Sequence, residues 1–329
     1  MTSDRDPSSR GRLKRIVRIL ALLVALGFMA ALVSSQWQAL QSFQWAFRPG
    51  WLVPSFALLA LAWLLELSTW RFVLAGLGGR LRWSRAAQTW FLSTIVRYIP
   101  GNIWQFLGMA ELAADDGVSR VATFASIGVH QVLATLVGIV LAAVYFAAAG
   151  QGALLEAVRP LLWLAPLLLI LCSPPILRRS LNWLLRLLKR PPVDVTLTWG
   201  QVGLALLGYA GVWLLMGSGF ALLAASITPV TSGQFVALVA TWAAAYVIGY
   251  LSMLTPSGLG VREMVMVLLL APLFPAPVPT VLALAARLWM VAGELVGAGI
   301  ALATRGRTQP TTAPVANSAA AVARPAGDV

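Results

Sequence analysis

The chain has 329 residues, 59% of them hydrophobic and 11% charged, with a mean hydropathy of +0.82 and a formal net charge of +13. A water-soluble fold needs roughly a quarter of its residues charged to cover its surface. This composition therefore excludes a soluble enzyme, a nucleic-acid binder and a disordered chain, and reads as a multi-pass membrane protein. The basic excess is read by position along the chain and not as a footprint for nucleic acid.

Rare residue types exclude more. The one cysteine, Cys172, can form no intrachain disulfide, and the one histidine, His130, cannot build a zinc site of the usual Cys/His kind. No metal and no other cofactor is expected. The two lysines, Lys14 and Lys189, stand outside any GxxxxGK[ST] loop, so ATP hydrolysis by the P-loop route is excluded. Any transport must draw on a gradient, a partner or the imbalance of its cargo.

In chain order, residues 1–15 carry Arg5, Arg10, Arg12, Lys14 and Arg15, which the positive-inside rule places in the cytoplasm. A span needs about 20 mostly apolar residues. Segment 16–34 leads out and is of spanning length, without a small-residue cleavage site, so it is no removable signal peptide. Residues 35–50 lie outside with only Arg48, and 51–70 returns to Arg71, Arg80, Arg82 and Arg85. The apolar stretch 86–112 is broken at Pro100-Gly101. Were it to cross fully, the cluster Arg178, Arg179, Arg186, Lys189 and Arg190 would fall outside, so it reads as a re-entrant hairpin.

Further spans are 121–148, 160–177, 199–225, 233–254 and 278–303, with only Arg159 in the outer connections 149–159 and 226–232. Segment 256–273 has a helical part of about 13 residues, about 20 Å long. It reaches the outer side only if its opening turn lies within the membrane. The tail 304–329, rich in Ala, Pro and Thr, reads as disordered and cytoplasmic. The expected fold is all-α: a polytopic helical bundle of about eight spans plus a re-entrant hairpin with broken half-helices. Its expected regions are the basic N-terminus 1–15, the membrane domain 16–303 and the tail, in the cell (plasma) membrane with both termini cytoplasmic. An aromatic belt fits: Trp37, Trp45 and Trp51 at outer ends; Trp70, Trp83, Trp90, Trp183 and Trp199 at cytoplasmic ends.

Irregular backbone is tolerated at membrane depth only where it lines protein or a wet cavity. Two stretches have it: Arg97-Tyr98-Ile99-Pro100-Gly101-Asn102-Ile103-Trp104-Gln105 and Thr255-Pro256-Ser257-Gly258-Leu259-Gly260-Val261-Arg262-Glu263. In each, Pro and Gly stop one helix and an apolar helix starts just after. The fresh N-terminus offers free N–H groups and a positive dipole end. A nearby arginine, Arg97 or Arg262, adds a planar fork, and phosphate is the anion that matches both. A lone Pro-Gly kink is usually only a kink; the paired pattern is what favours an anion site.

Other ionisable residues inside spans need partners, because a charge at the bilayer centre costs about 2.5–3.5 kcal/mol. Arg287 and Glu294 share a face of the last span, and read equally as an interhelical pair or as part of a transport path. His130, beside Gln131, reads as a hydrogen-bonded packing residue more than a proton carrier. Glu66 reads as pairing with a loop arginine, and Asp115-Asp116-Gly117 as a solvated turn.

The two breaks resemble the signature motifs of the transmembrane domain of the lysylphosphatidylglycerol synthase/flippase family. Arg97, Tyr98, Pro100, Gly101, Trp104 and Gln105 match R-Y-x-P-G-x-x-W-Q, followed by the turn Gly117-Val118-Ser119. Pro256, Gly258, Gly260, Arg262 and Glu263 match P-G-G-x-G-x-R-E, with Ser257 where the family usually has glycine. The resemblance covers roughly residues 16–303. Many relatives carry an acid near the start of the span after the first motif, where this chain has His130-Gln131, which implies a different lipid. No cytosolic synthase domain follows, so the resemblance implies the translocating half alone.

Three functions are weighed. The first is binding and translocation of an anionic phospholipid or lipid-linked headgroup, with Arg97 and Arg262 on phosphate and Glu263 pairing or engaging an amine. The lipid-binding set is then Arg97, Tyr98, Pro100, Gly101, Trp104, Gln105, Pro256, Ser257, Gly258, Gly260, Arg262 and Glu263, with His130, Arg287 and Glu294 behind it. The second is a membrane-embedded glycosyltransferase, disfavoured because loop 35–50 has no Asp or Glu. The third is a non-transporting accessory subunit of a lipid-modifying or surface-glycan enzyme. The expected partners are an anionic membrane lipid and, for the third function, a membrane enzyme. Covalent chemistry is not expected, and the residues set no oligomeric state.

Overall fold

In a computed structural model, the described residues are 34, 37–42, 46–94, 104–148, 166–167, 170, 172–252 and 258–305. They form the helices α1 (Trp37–Ser42), α2 (Leu52–Ala75), α3 (Trp83–Thr94), α4 (Trp104–Ala114), α5 (Arg120–Ala148), α6 (Pro174–Leu187), α7 (Trp199–Ile227), α8 (Ser232–Leu251), α9 (Val261–Leu270) and α10 (Val278–Arg305). A 3-10 turn at Pro49–Trp51 leads into α2. The protein is an all-helical, polytopic membrane bundle. Among the described residues, five helices are long and apolar enough to cross a membrane: α2 with its leading turn, α5, α7, α8 and α10. All but Ser34 of the expected span 16–34 and half of 160–177 lie outside the described residues. Segment 256–273 holds the ten-residue α9.

Local sequence explains the helix starts. Thr198 caps α7 by accepting from the Gln201 N–H at 3.3 Å, while the Gln201 side chain accepts from the Thr198 N–H at 2.8 Å. Thr231 and Gln234 repeat this reciprocal cap on α8, at 3.3 and 2.9 Å. Helix α6 begins with Pro174-Pro175 after the extended Ser173. It buries Leu177 and Leu185 and leaves Trp183, Leu184 and Leu187 exposed.

Helices in lipid gain little from hiding apolar surface, because lipid is itself apolar; close packing and interhelical hydrogen bonds hold them instead. Antiparallel α2 and α7 show both. A Cβ on Gly208 would lie 2.5 Å from Thr69 Oγ1, and one on Gly219 would lie 3.1 Å from the Ser55 carbonyl oxygen. The Ser55 hydroxyl donates to the Gly219 carbonyl at 2.7 Å. Trp70 is fully buried and donates to Ser126 Oγ at 3.1 Å, joining α2 to α5. The Trp70 and Trp90 rings meet at a tilt of 51°, 5.6 Å between centroids, inside the bundle. That corrects their assignment to the aromatic belt: both face neighbouring helices, whereas Trp83, Trp183 and Trp199 stay exposed.

The stretch 86–112 goes in and comes back. Arg85 near the start of α3 pairs with Asp116 just after α4 at 2.7 Å, and a Cβ on Gly108 of α4 would touch Ser93 of α3 at 3.4 Å. The two ends of the hairpin therefore meet. Asp116 is in consequence a partly buried ion-pair partner, with 6% of its side chain exposed, and not part of a solvated turn. Gln88 also reaches Thr304 of α10 at 3.5 Å, and Thr196 before α7 bonds through its N–H to the Gly76 carbonyl after α2 at 2.9 Å.

These links gather the end of α2, both hairpin ends, and the starts of α5 and α7 at one end of the bundle, together with the end of α10. The opposite end is tied by the Arg48 N–H to the Ser226 carbonyl at 2.7 Å, and by Gln234 to the Leu273 carbonyl at 2.9 Å. Helix α9 thus climbs back to where α8 began, which gives α10 a full length to return. Among the described residues, the first end carries Arg71, Arg80, Arg82, Arg85, Arg120, Arg178, Arg179, Arg186, Lys189, Arg190 and Arg305; the second carries Arg48.

Candidate functional site

The second break builds its site on α8, α9 and α10. Gly258 and Gly260 adopt φ of +66° and +84°, the left-handed region that glycine enters without strain. A Cβ on Gly258 would also sit 2.9 Å from the Gly249 carbonyl oxygen of α8. The two glycines thus let the chain reverse tightly against α8 and start α9 inside the bundle.

The new helix start is capped from within. Glu263 stands at the third position of α9 and accepts from the Gly260 N–H at 2.7 Å. Its other oxygen lies 3.5 Å from Nη1 of Arg287 on α10. Both side chains are nearly fully enclosed, at 3% and 7% exposure. A carboxylate at a positive helix end opposite a guanidinium is compensated on two sides, which a buried charge requires.

Arg262 is buried too, and it points at aromatic faces. Its guanidinium carbon lies 4.3 Å from the Trp242 ring centroid and 4.9 Å from that of Tyr246, both on α8. Such a contact is worth about 2 kcal/mol or more when desolvated. Trp242 in turn meets Trp289 of α10 edge-on at 5.4 Å. The aromatic platform of Trp242 and Tyr246 was not singled out in the sequence. Its signal was their spacing of four, which puts both on one helix face.

The remaining candidates divide between places. Arg287 pairs with Glu263 across helices, and Glu294 is buried one position after Gly293, where α10 packs on Trp63 of α2. Of the first break, Arg97, Tyr98, Pro100 and Gly101 lie outside the described residues, as do Pro256 and Ser257 of the second. Trp104 and Gln105 open α4, half-buried. Helix α4 packs on α3 and α5, while α9 packs on α8 and α10; α10 also packs on α3 and so bridges the two half-helices.

His130 belongs to a second polar cluster. Its Nδ1 is 2.8 Å from the Tyr209 hydroxyl of α7, and its Nε2 is 3.8 Å from Glu66 of α2. Trp90 of α3 meets the imidazole edge-on at 5.4 Å. Glu66 therefore faces a histidine within the bundle, a neighbour the sequence did not suggest. Among the described residues, no group of three or more His, Cys, Asp or Glu is placed to hold a metal ion.

Neither a curated protein nor a solved structure matches the chain. A family model does, that of the lysylphosphatidylglycerol synthase TM region, over residues 17–296. The half-helix built on Gly258, Gly260, Arg262 and Glu263 lies within that match, as does the hairpin of α3 and α4, and the chain belongs to this family of membrane domains.

Proposed function

We propose that the protein binds the headgroup of an anionic phospholipid or lipid-linked precursor at the broken helices and passes it across the plasma membrane, with both termini in the cytoplasm. The observation that carries this reading is the interior start of α9, where Arg262, Glu263 and Arg287 are buried together. Ionisable groups at such depth are costly, and they mark substrate paths in membrane proteins. Broken helices whose ends meet at mid-bundle are the common architecture of transporter sites.

The geometry sharpens the assignment of roles. Glu263 already occupies the start of α9, so the helix end presents an acid–arginine pair to a headgroup and not a bare positive end. The Arg262 guanidinium carbon lies over the Trp242 and Tyr246 rings, and an arginine fork binds phosphate through its edge. In this reading Arg262 and Arg97 hold phosphate, while Glu263 releases toward an amine. No covalent step is involved. The basic excess at one end of the bundle supports a cytoplasmic placement of that end.

The test is headgroup exposure in liposomes containing the purified protein, with fluorescent anionic and zwitterionic phospholipids and an impermeant quencher. Rapid exposure of the anionic probe, lost in Arg97→Ala and Arg262→Lys, is the expected result. The lysine keeps the charge but loses the fork. Exposure that both variants retain means nonspecific scrambling, and no exposure at all favours the accessory-subunit reading.

A further inference from the structure

The cluster of Glu66, His130 and Tyr209 is built on α2, α5 and α7, not on the α8, α9 and α10 that carry Arg262, and has a different chemistry. We propose that it is a proton-binding site inside the bundle, and that its loading and release is the ion step that drives translocation. The second half of that statement rests on the translocation reading; the first does not.

Depth comes from helix bookkeeping. Glu66 is nine residues before the end of α2 at Ala75, and His130 and Tyr209 are each ten residues beyond the starts of α5 and α7. Those three helix ends share one end of the bundle, so the side chains meet at one level. At 1.5 Å per residue that level is about 15 Å in from this end of helices about 36–44 Å long, so the cluster lies inside the bundle.

The three groups suit a proton that comes and goes. Histidine is the side chain whose ordinary range lies nearest neutrality. A carboxylate 3.8 Å from its Nε2 sets a counter-charge within reach of an imidazolium. The groups turned toward the imidazole are Glu66 from α2, the Tyr209 hydroxyl from α7 and the Trp90 ring from α3, while α5 itself carries Gln131 bonded to Thr135 at 3.2 Å. Proton uptake converts carboxylate plus neutral imidazole into one protonated pair, with the proton on Nε2 or on the Glu66 carboxyl. Release returns it to water.

Tyr209 makes this reversible without loss of a hydrogen bond. A phenol hydroxyl both donates and accepts. It donates to Nδ1 when the imidazole is neutral with its proton on Nε2, and accepts from Nδ1–H when the ring is charged, at the same 2.8 Å. A residue kept only for packing needs no partner able to serve both states. Access is graded as well: the Glu66 side chain is 17% exposed and that of His130 9%, which places the carboxylate as the outer member.

Because the chain has one histidine, 15N-histidine labelling yields a single imidazole to follow. The full chain in lipid nanodiscs is titrated across about pH 5 to 8, where histidine charge changes fall. The same protein in liposomes is given a transmembrane gradient of about one pH unit, worth at most about tenfold in equilibrium per proton. The expected result has three parts. The imidazole titrates in the wild type, its titration changes in Glu66→Gln, and the gradient shifts the distribution of the anionic probe several-fold in the wild type but not in Glu66→Gln or His130→Gln.

An imidazole that does not change across the range overturns the site. A titrating imidazole with a probe distribution blind to the gradient overturns the coupling and leaves translocation standing. If no probe moves under any gradient, translocation and its coupling fail together, and the imidazole titration still decides the site. Tyr209→Phe, which keeps ring and packing, stands in should either polar variant fail to fold; a midpoint unchanged from wild type in that variant counts against the shared hydrogen bond.

Discussion

The two buried polar clusters solve the same problem with different chemistry. On α8, α9 and α10 the charges are fixed: an arginine does not lose its proton in a protein. Arg287 with Glu263, and Arg262 with its aromatic faces, are therefore held by permanent attraction. On α2, α5 and α7 the groups are ones whose charge can change, a glutamate and a histidine joined to a tyrosine. A fixed-charge cluster is suited to hold an ionic headgroup, and a titratable one is suited to report or use a proton. The lesson is that polarity inside a membrane bundle is sorted by protonation chemistry as well as by cost.

The largest effect expected from breaking this contrast is on the fixed side. Arg287→Ala removes the guanidinium facing Glu263 and should cost about 3 kcal/mol. Thermal unfolding in detergent should show it, and Glu263→Gln in the same chain should recover part of the loss. If Arg287→Ala unfolds like wild type, the pair is not a structural element.

Gly258→Ala comes next, because both its φ and the 2.9 Å approach to the Gly249 carbonyl forbid a methyl group. It should cost about 1–3 kcal/mol and displace Arg262, so stability and headgroup exposure fall together. Gly208→Ala is its counterpart in the titratable cluster. The new methyl meets Thr69 at 2.5 Å next to Tyr209, and overpacking of this kind costs about 1–3 kcal/mol. Its signature is a shifted His130 resonance with the arginine cluster unaltered.

The smallest effect separates two fully buried tryptophans. Trp70 donates to Ser126, whereas the Trp242 Nε1 has no hydrogen-bond partner among the described residues. In an Arg262→Leu background, which takes the cation off the Trp242 ring, Trp70→Phe should therefore cost about 1 kcal/mol more than Trp242→Phe. Equal melting temperatures for the two would show that the Trp70 bond contributes nothing net.

Much of this was legible in the residues themselves. The re-entrant reading of 86–112 followed from where arginines must lie, and Arg85 meeting Asp116 is its structural counterpart. Glycines after Pro256 marked the break, and Gly258 and Gly260 do take left-handed backbone. Partners were not legible. Glu66 and His130 stand 64 positions apart, and Glu263 and Arg287 stand 24 apart, so spacing said nothing of either pair. Only the common depth of Glu66 and His130 in antiparallel helices was there to be read.

What the sequence determined alone was membrane residence, the all-helical build and the positions of the breaks. These depend on local quantities: apolar length against the thickness of lipid, the placement of basic residues, and the backbone limits of Pro and Gly. The tertiary structure decided which face of each helix met which neighbour, and so which charge met which countercharge. It put Arg262 on aromatic rings, turned Glu263 into the cap of its own helix, and moved Trp70 from the expected interface into the core. In a bundle apolar on nearly every face, hydropathy cannot tell lipid from neighbour. Close approach at glycines and a few interhelical hydrogen bonds make that choice, and both exist only once the helices are assembled.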